Sequence, residues 1–214
     1  MKLTDKGLFA LALHEGIVPA PYLDSVGVWT YGIGHTAAAG SPDPAKMARG
    51  MPADLNAALS DVFDVFRRDV AKYEAAVAKA VKVPLKPHQF DALVSFHYNT
   101  GAIGRASLVK KLNAGDYEGA GQGLMAWVKP PEIRKRREAE QALFLRGTYP
   151  SGKVTVWQVS DAGKVIWKPA RSLSMGEFLE MLDEPIFADP GFAPKAPGFW
   201  ASLLTALLGI LKGR

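Results

Sequence analysis

Residues 4–34 constrain the fold most. Thr4 is a helix-capping residue, and Leu8, Leu11 and Ala12 give Asp5–Glu15 the apolar stripe of a short helix. Gly16 ends it. Tyr22–Gly34 then changes period. "GVWTYGIG" is rich in β-formers, and its glycines permit tight reversals. A small sheet therefore follows directly on the first helix.

Beyond a Gly/Pro-rich connector at Ala37–Pro52, the chain turns helical. Leu55, Leu59, Val62, Phe63, Phe66 and Val70 recur at helical spacing within Ala53–Val81. A break at Pro84 and Pro87 leads into "HQFDALVSFHYN", a turn at Gly101 and Gly104, and "SLVKKLNAG". Glu118–Trp127 reads as another helix. After Pro130 and Pro131, "EIRKRREAEQALFLRG" reads as a charged amphipathic one. The class is α+β, with a small antiparallel sheet at one end of a mostly helical remainder.

At Tyr149 the character changes again. "KVTVWQVSDAGKVIWKP" predicts a β-hairpin turning at Ser160–Gly163, and "SMGEFLEML" a short helix. Asp183–Pro197 has the composition of a linker. Phe199 to Leu211 presents one apolar face of a terminal helix, with Lys212 and Arg214 beside it. Such a helix suits an acidic membrane surface, the core or a second copy. The expected organisation is a catalytic domain at 1–149 and an extension at 150–214.

Length and composition admit a packed core: 214 residues, 48% apolar, 22% charged. The net charge of +5 favours anionic partners, among them nucleic acid, acidic lipid and wall polymer. The absence of cysteine removes disulfides and thiol chemistry. The N-terminus lacks the pattern of a secretory signal, so synthesis in a host cytoplasm is expected. No stretch reaches the ~18 apolar residues of a spanning helix. His88 and His97 lie too far apart for a ligand pair, and no metal or cofactor is expected.

Glu15 sits where the first helix ends, and Asp24 and Thr30 follow in the strand region. Glycosidic cleavage needs a protonated carboxyl for the leaving oxygen and a second group that directs water or attacks. Ile17, Val18 and Trp29 supply apolar surroundings that favour a protonated carboxyl, and a Thr hydroxyl can hold a water. The alternative for Asp24 and Thr30 is a hairpin turn and a bonded strand hydroxyl.

The spacing Glu-x8-Asp-x5-Thr followed by "GIGH" resembles the signature of phage-type lysozymes, glycoside hydrolase family 24. "QFDALVSFHYNTGAIGRASLVKKLNAGDY" is similar to the family's central helices, and "RKRREAEQALFLRG" to its closing helix. The resemblance covers about residues 3–149. It implies a lysozyme-like fold, with a small β lobe and a larger helical lobe flanking a cleft. It also implies peptidoglycan as partner and inverting hydrolysis of the β-1,4 bond between N-acetylmuramic acid and N-acetylglucosamine. Glu15 matches the general acid, Asp24 the second carboxylate and Thr30 the water-positioning hydroxyl. Arg136 matches an Arg that pairs with the catalytic Glu, with Arg137 the runner-up. His35 and Asp69 match a structural ion pair. Gly34, Tyr98, Asn99 and Ser107 match the substrate-facing region, although Ser107 is also a candidate helix cap. The implied protein is a monomeric endolysin, released to the periplasm by a holin-type pore for host lysis. A non-catalytic wall-binding protein anchored by its tail is the alternative. Binding of nucleic acid through residues 134–137 is not expected. Trp157 and Trp167 are candidates for sugar stacking or for packing on the catalytic domain.

Overall fold

The computed structural model describes residues 1–183. Helix α1 spans Asp5–Glu15. The Thr4 hydroxyl accepts from the Gly7 amide at 3.0 Å, and Gly16, at φ +70°, closes the helix with an N–H to the Ala12 carbonyl. Thr4 is itself anchored. Its hydroxyl donates to Asp91 at 2.5 Å, and Tyr149 donates to the same oxygen at 2.7 Å. Burial pushes the Asp91 carboxyl up, while these hydrogen bonds oppose the shift.

Three antiparallel strands follow in the order β1 (Val18–Leu23), β2 (Trp29–Gly32) and β3 (His35–Thr36). β1 starts earlier than the β-rich run predicts, and it contains Pro19 and Pro21. Neither has an amide proton, and the register breaks between Val18 and Tyr22. β3 has two residues and gives way to 3₁₀ turns at Ala37–Ala39 and Pro44–Lys46.

The 26-residue helix α2, Leu55–Ala80, starts at Asp54, whose carboxylate accepts from the Asn56 and Ala57 amides. At ~1.5 Å per residue it runs roughly 39 Å, long enough to leave the sheet and cross the helical core. Leu59, Val62, Phe63, Phe66, Val70 and Val77 form its buried face. Helix α3 (Pro87–Thr100) packs against it and against α6 (Arg134–Arg146); α4 (Ser107–Asn113) and α5 (Tyr117–Gly123) close one side. The single helix expected over Glu118–Trp127 is instead α5 followed by a 3₁₀ turn at Leu124–Trp127. Gly119, Gly121 and Gly123 weaken the α conformation there.

Strands β4 (Val154–Val159) and β5 (Val165–Leu173) form the expected hairpin, and helix α7 (Met175–Asp183) follows. The hairpin is built into the same body as the sheet. The Ile17 amide donates to the Thr155 carbonyl at 2.9 Å, Trp157 returns a bond to the Ile17 carbonyl at 2.8 Å, and Leu23 donates to Gly163 at 2.9 Å. Val154, Val156, Leu173 and Phe178 are fully buried in the central core. Phe178 meets Phe63 edge-on at 5.0 Å and Phe9 at 5.5 Å. The described residues, 1–183, fall within one compact unit, on both sides of the 149/150 boundary expected from the sequence. The linker and terminal helix expected from 183 onward lie outside the described residues, apart from Asp183, which ends α7. Among the described residues no helix is long and apolar enough to cross a membrane.

Candidate active site

Glu15 is the last residue of α1, so its side chain leaves the helix where the chain turns into the sheet. It is 22% exposed and pairs with Arg136, Nη1 to Oε1, at 2.7 Å. Arg136 is 7% exposed. Its Nε donates to Glu140 at 3.0 Å and its Nη2 to the Ser95 carbonyl at 3.2 Å. Ser95 in turn donates to Glu140 at 2.7 Å. The guanidinium is thus held by Glu140 and by Ser95 before it reaches Glu15. Burial lowers the Arg136 pKa, but the Glu15 and Glu140 carboxylates outweigh it and raise the value overall.

Arg137 points elsewhere. It pairs with the other oxygen of Glu140, donates to Asn99 and to the Trp127 carbonyl, and lies 5.2 Å from the Phe96 ring centroid. Of the runner-up pair, Arg136 is therefore the residue that meets Glu15. Both arginines are buried, whereas Arg134 and Lys135 face solvent. Glu140, 1% exposed between the two guanidiniums, was not singled out by sequence reasoning. Its spacing from Arg137 and Arg136, i+3 and i+4, was the available signal.

Asp24 opens the β1–β2 turn. Its Oδ1 accepts from the Val26 amide at 2.9 Å and the Val28 amide at 2.8 Å. Both donors fall on one oxygen, which fixes the carboxylate and, among the described residues, leaves Oδ2 clear of protein donors. Thr30, on β2, is buried, and its hydroxyl donates to the Val28 carbonyl at 3.2 Å. The hydroxyl proton is thereby engaged, while the oxygen lone pairs can still accept from water. Tyr22 lies between these groups electrostatically: burial first, then the Glu15 and Asp24 charges, push its phenol up to about 12. His14, beside Glu15, is pushed down to about 4, by burial first and then by Arg136. It is a neutral neighbour of the carboxylate near neutral pH.

Gly34 sits at φ +77°, where a Cβ would come 3.5 Å from the Tyr98 ring and 3.9 Å from Glu15 Oε2. The turn therefore passes close to the carboxylate. Tyr98 holds it there by donating to the Ile33 carbonyl, with its ring 4.6 Å from Tyr73. A pocket of about 300 Å³, lined by Gly34, Thr36, Tyr73, His97 and Tyr98 among others, adjoins this turn. Asn99 is exposed, but its carbonyl oxygen is taken by Arg137. Ser107 is exposed at the first turn of α4, and the N-cap position belongs to Ala106. His35 is buried behind the sheet. Its Nδ1 meets Asp69 at 2.7 Å and its Nε2 the Pro42 carbonyl at 2.8 Å. Among the described residues no group of three or more His, Asp or Glu is placed to hold a metal ion.

A family model described as phage lysozyme matches residues 12–140, more than half of the chain. The chain belongs to the phage lysozyme family. The endolysin of Salmonella phage P22 is 33% identical over 151 residues, covering 68% of this chain and 99% of that protein. The endolysin of Acyrthosiphon pisum secondary endosymbiont phage 1 is 34% identical over 155 residues, covering 67% and 98%. The solved endolysin of Escherichia coli O157:H7 phage FAHEc1 superposes with a TM-score of 0.61 at 33% identity, over 71% of this chain and 98% of that one. This phage lysozyme therefore has the lysozyme-like fold, with β4, β5 and α7 beyond the residues that the family model matches.

Proposed function

We propose that this phage lysozyme, a glycoside hydrolase that degrades peptidoglycan, cuts the β-1,4 bond between N-acetylmuramic acid and N-acetylglucosamine with inversion. The observation that carries the reading is the Glu15–Arg136 contact at 2.7 Å, which fixes a largely buried carboxyl at the end of α1, where the chain turns into the sheet. Glu15 protonates the leaving glycosidic oxygen. Asp24, anchored through Oδ1, takes a proton from water at Oδ2 as that water attacks the anomeric carbon. Thr30 accepts a hydrogen bond from the same water and keeps it in line. Arg136 orients Glu15, and Glu140, bonded to the Arg136 Nε at 3.0 Å, holds the guanidinium in place. The protein is made in the host cytoplasm and reaches the wall through a holin-type pore.

Release of reducing sugar from purified peptidoglycan by wild type, and its loss in Glu15→Gln, tests the activity. Binding without release by wild type would sink it in favour of a wall-binding role. The anomeric form of the fresh product, read by NMR, tests inversion; a retained β-anomer would overturn that part. Parallel assays on chitin and chitosan test the bond.

A further inference from the structure

Trp157 and Trp167 take no part in the network around Glu15. Their rings meet across the hairpin, centroids 5.4 Å apart at 78°. Trp167 is 78% exposed, and its neighbours Ile166 and Lys168 are exposed as well. A ring so open to water adds little to the core, because the gain from burial scales with the apolar area removed from solvent. Trp157, by contrast, is anchored beside Gly16, the residue that follows Glu15. Its indole occupies the space over that glycine: a Cβ built there would lie 2.9 Å from Nε1. It packs on the small cluster of Val18, Ala20 and Val159, which Tyr22 also joins. At the hairpin turn, the Leu23–Gly163 bond places the same element next to Asp24. The hairpin thus touches the chain directly after Glu15 and directly before Asp24, and its exposed tryptophan continues outward from there.

We propose that Trp157 and Trp167 form a glycan-binding platform that extends the cleft, with Trp167 stacking on a sugar of the same strand that Glu15 and Asp24 act on. The proposal rests on the functional reading above. The ligand class is a β-1,4-linked polymer of N-acetylated amino sugars. The C–H face of a pyranose is apolar and matches an open indole face. Exposed Lys164 and Lys168 supply positive charge for the carboxylates of a peptide-bearing strand. Trp157 sets the orientation of Trp167 and ties the platform to Gly16.

The test uses the full chain carrying Glu15→Gln, so that bound sugar is not turned over, and titrates it calorimetrically with N-acetylglucosamine oligomers of increasing length. Trp167→Ala in that background is expected to weaken binding of the longest oligomers by roughly two- to tenfold, with the penalty shrinking as the oligomer shortens. Trp167→Phe recovers most of the loss. Equal affinities for Trp167→Ala and its parent at every length would overturn the platform while leaving the hydrolase reading intact. If instead wild type releases no reducing sugar and the Glu15→Gln protein binds no oligomer, the functional reading fails and the platform fails with it.

Discussion

Glu140→Gln isolates the anion that sits between the arginines of the cleft. The side chain keeps its size, and only the charge goes. In wild type, Glu140 is 1% exposed and bonded to Arg136, Arg137 and Ser95. At an effective dielectric of about 20, unit charges 3.0 Å apart, the Arg136–Glu140 distance, attract by about 5–6 kcal/mol. Removing one partner of a buried pair typically costs about 3–5 kcal/mol, because the other charge stays desolvated. Here two guanidiniums remain, with Glu15 as the nearby counter-charge. Thermal unfolding should therefore drop by roughly 6–20 °C for a body of this size. The second consequence is catalytic. Without the Glu140 charge, Arg136 loses the anion that anchors its Nε and is held less firmly against Glu15. On the proposed mechanism, kcat should fall more than KM rises. A variant that melts within about 1 °C of wild type with unchanged kcat would refute both the energetic weight of Glu140 and its link to Glu15.

Three further outcomes follow from geometry. His14 titrates near 4 in the fold and at 6.5 when unfolded, so the unfolded chain takes up the proton first. Stability from this group is complete above pH 6.5 and declines as pH falls toward 4, by about 3 kcal/mol; urea melts should show a shallower decline in His14→Gln, and identical slopes would count against it. A chain ending at Gly147 loses Val154, Val156, Leu173 and Phe178 from the core. At ~1.5–3 kcal/mol each this removes about 6–12 kcal/mol, comparable to a typical total stability, so far- and near-UV spectra should report an unfolded or molten chain. Gly34→Ala puts a Cβ on a backbone at φ +77° beside Tyr98 and Glu15. It should lower stability by about 1–2 kcal/mol and raise KM, and wild-type values of both would contradict the close approach described for that turn.

Local chemistry made much of this legible. The Thr4 cap, the Gly16 stop and the turn near Ser160–Gly163 each depend on a few neighbouring residues, and each is where the residue types place it. Glu15 and Arg136 stand 121 residues apart in sequence yet meet, and it was the family resemblance rather than periodicity that pointed to them. The burial of Arg137 and Glu140 was not legible. A run such as "RKRREAE" reads as a solvated face until Ser95, Asn99 and Trp127 arrive from other elements to receive it. The same reason hides the role of Asn99, whose carbonyl is claimed by an arginine from another helix. The docking of the hairpin on Ile17 is equally non-local, since a strand's own alternation says nothing about which backbone it will join.

That last pairing has a consequence for the order in which the molecule can be assembled. Thr4 and Tyr149, which share Asp91, are separated by 145 residues, and the hairpin that borders Ile17 is made later still. Contacts of such long sequence separation form slowly, because the chain entropy between them must be lost first. In N-to-C synthesis the first helix and Glu15 emerge before the strand that flanks them and before the phenylalanine that seals the core beneath. A nascent chain extended through Arg136 therefore carries Glu15, Asp24, Thr30 and Arg136 without the hairpin that frames Glu15. The Glu15 site is framed only once the hairpin on Ile17 has been made.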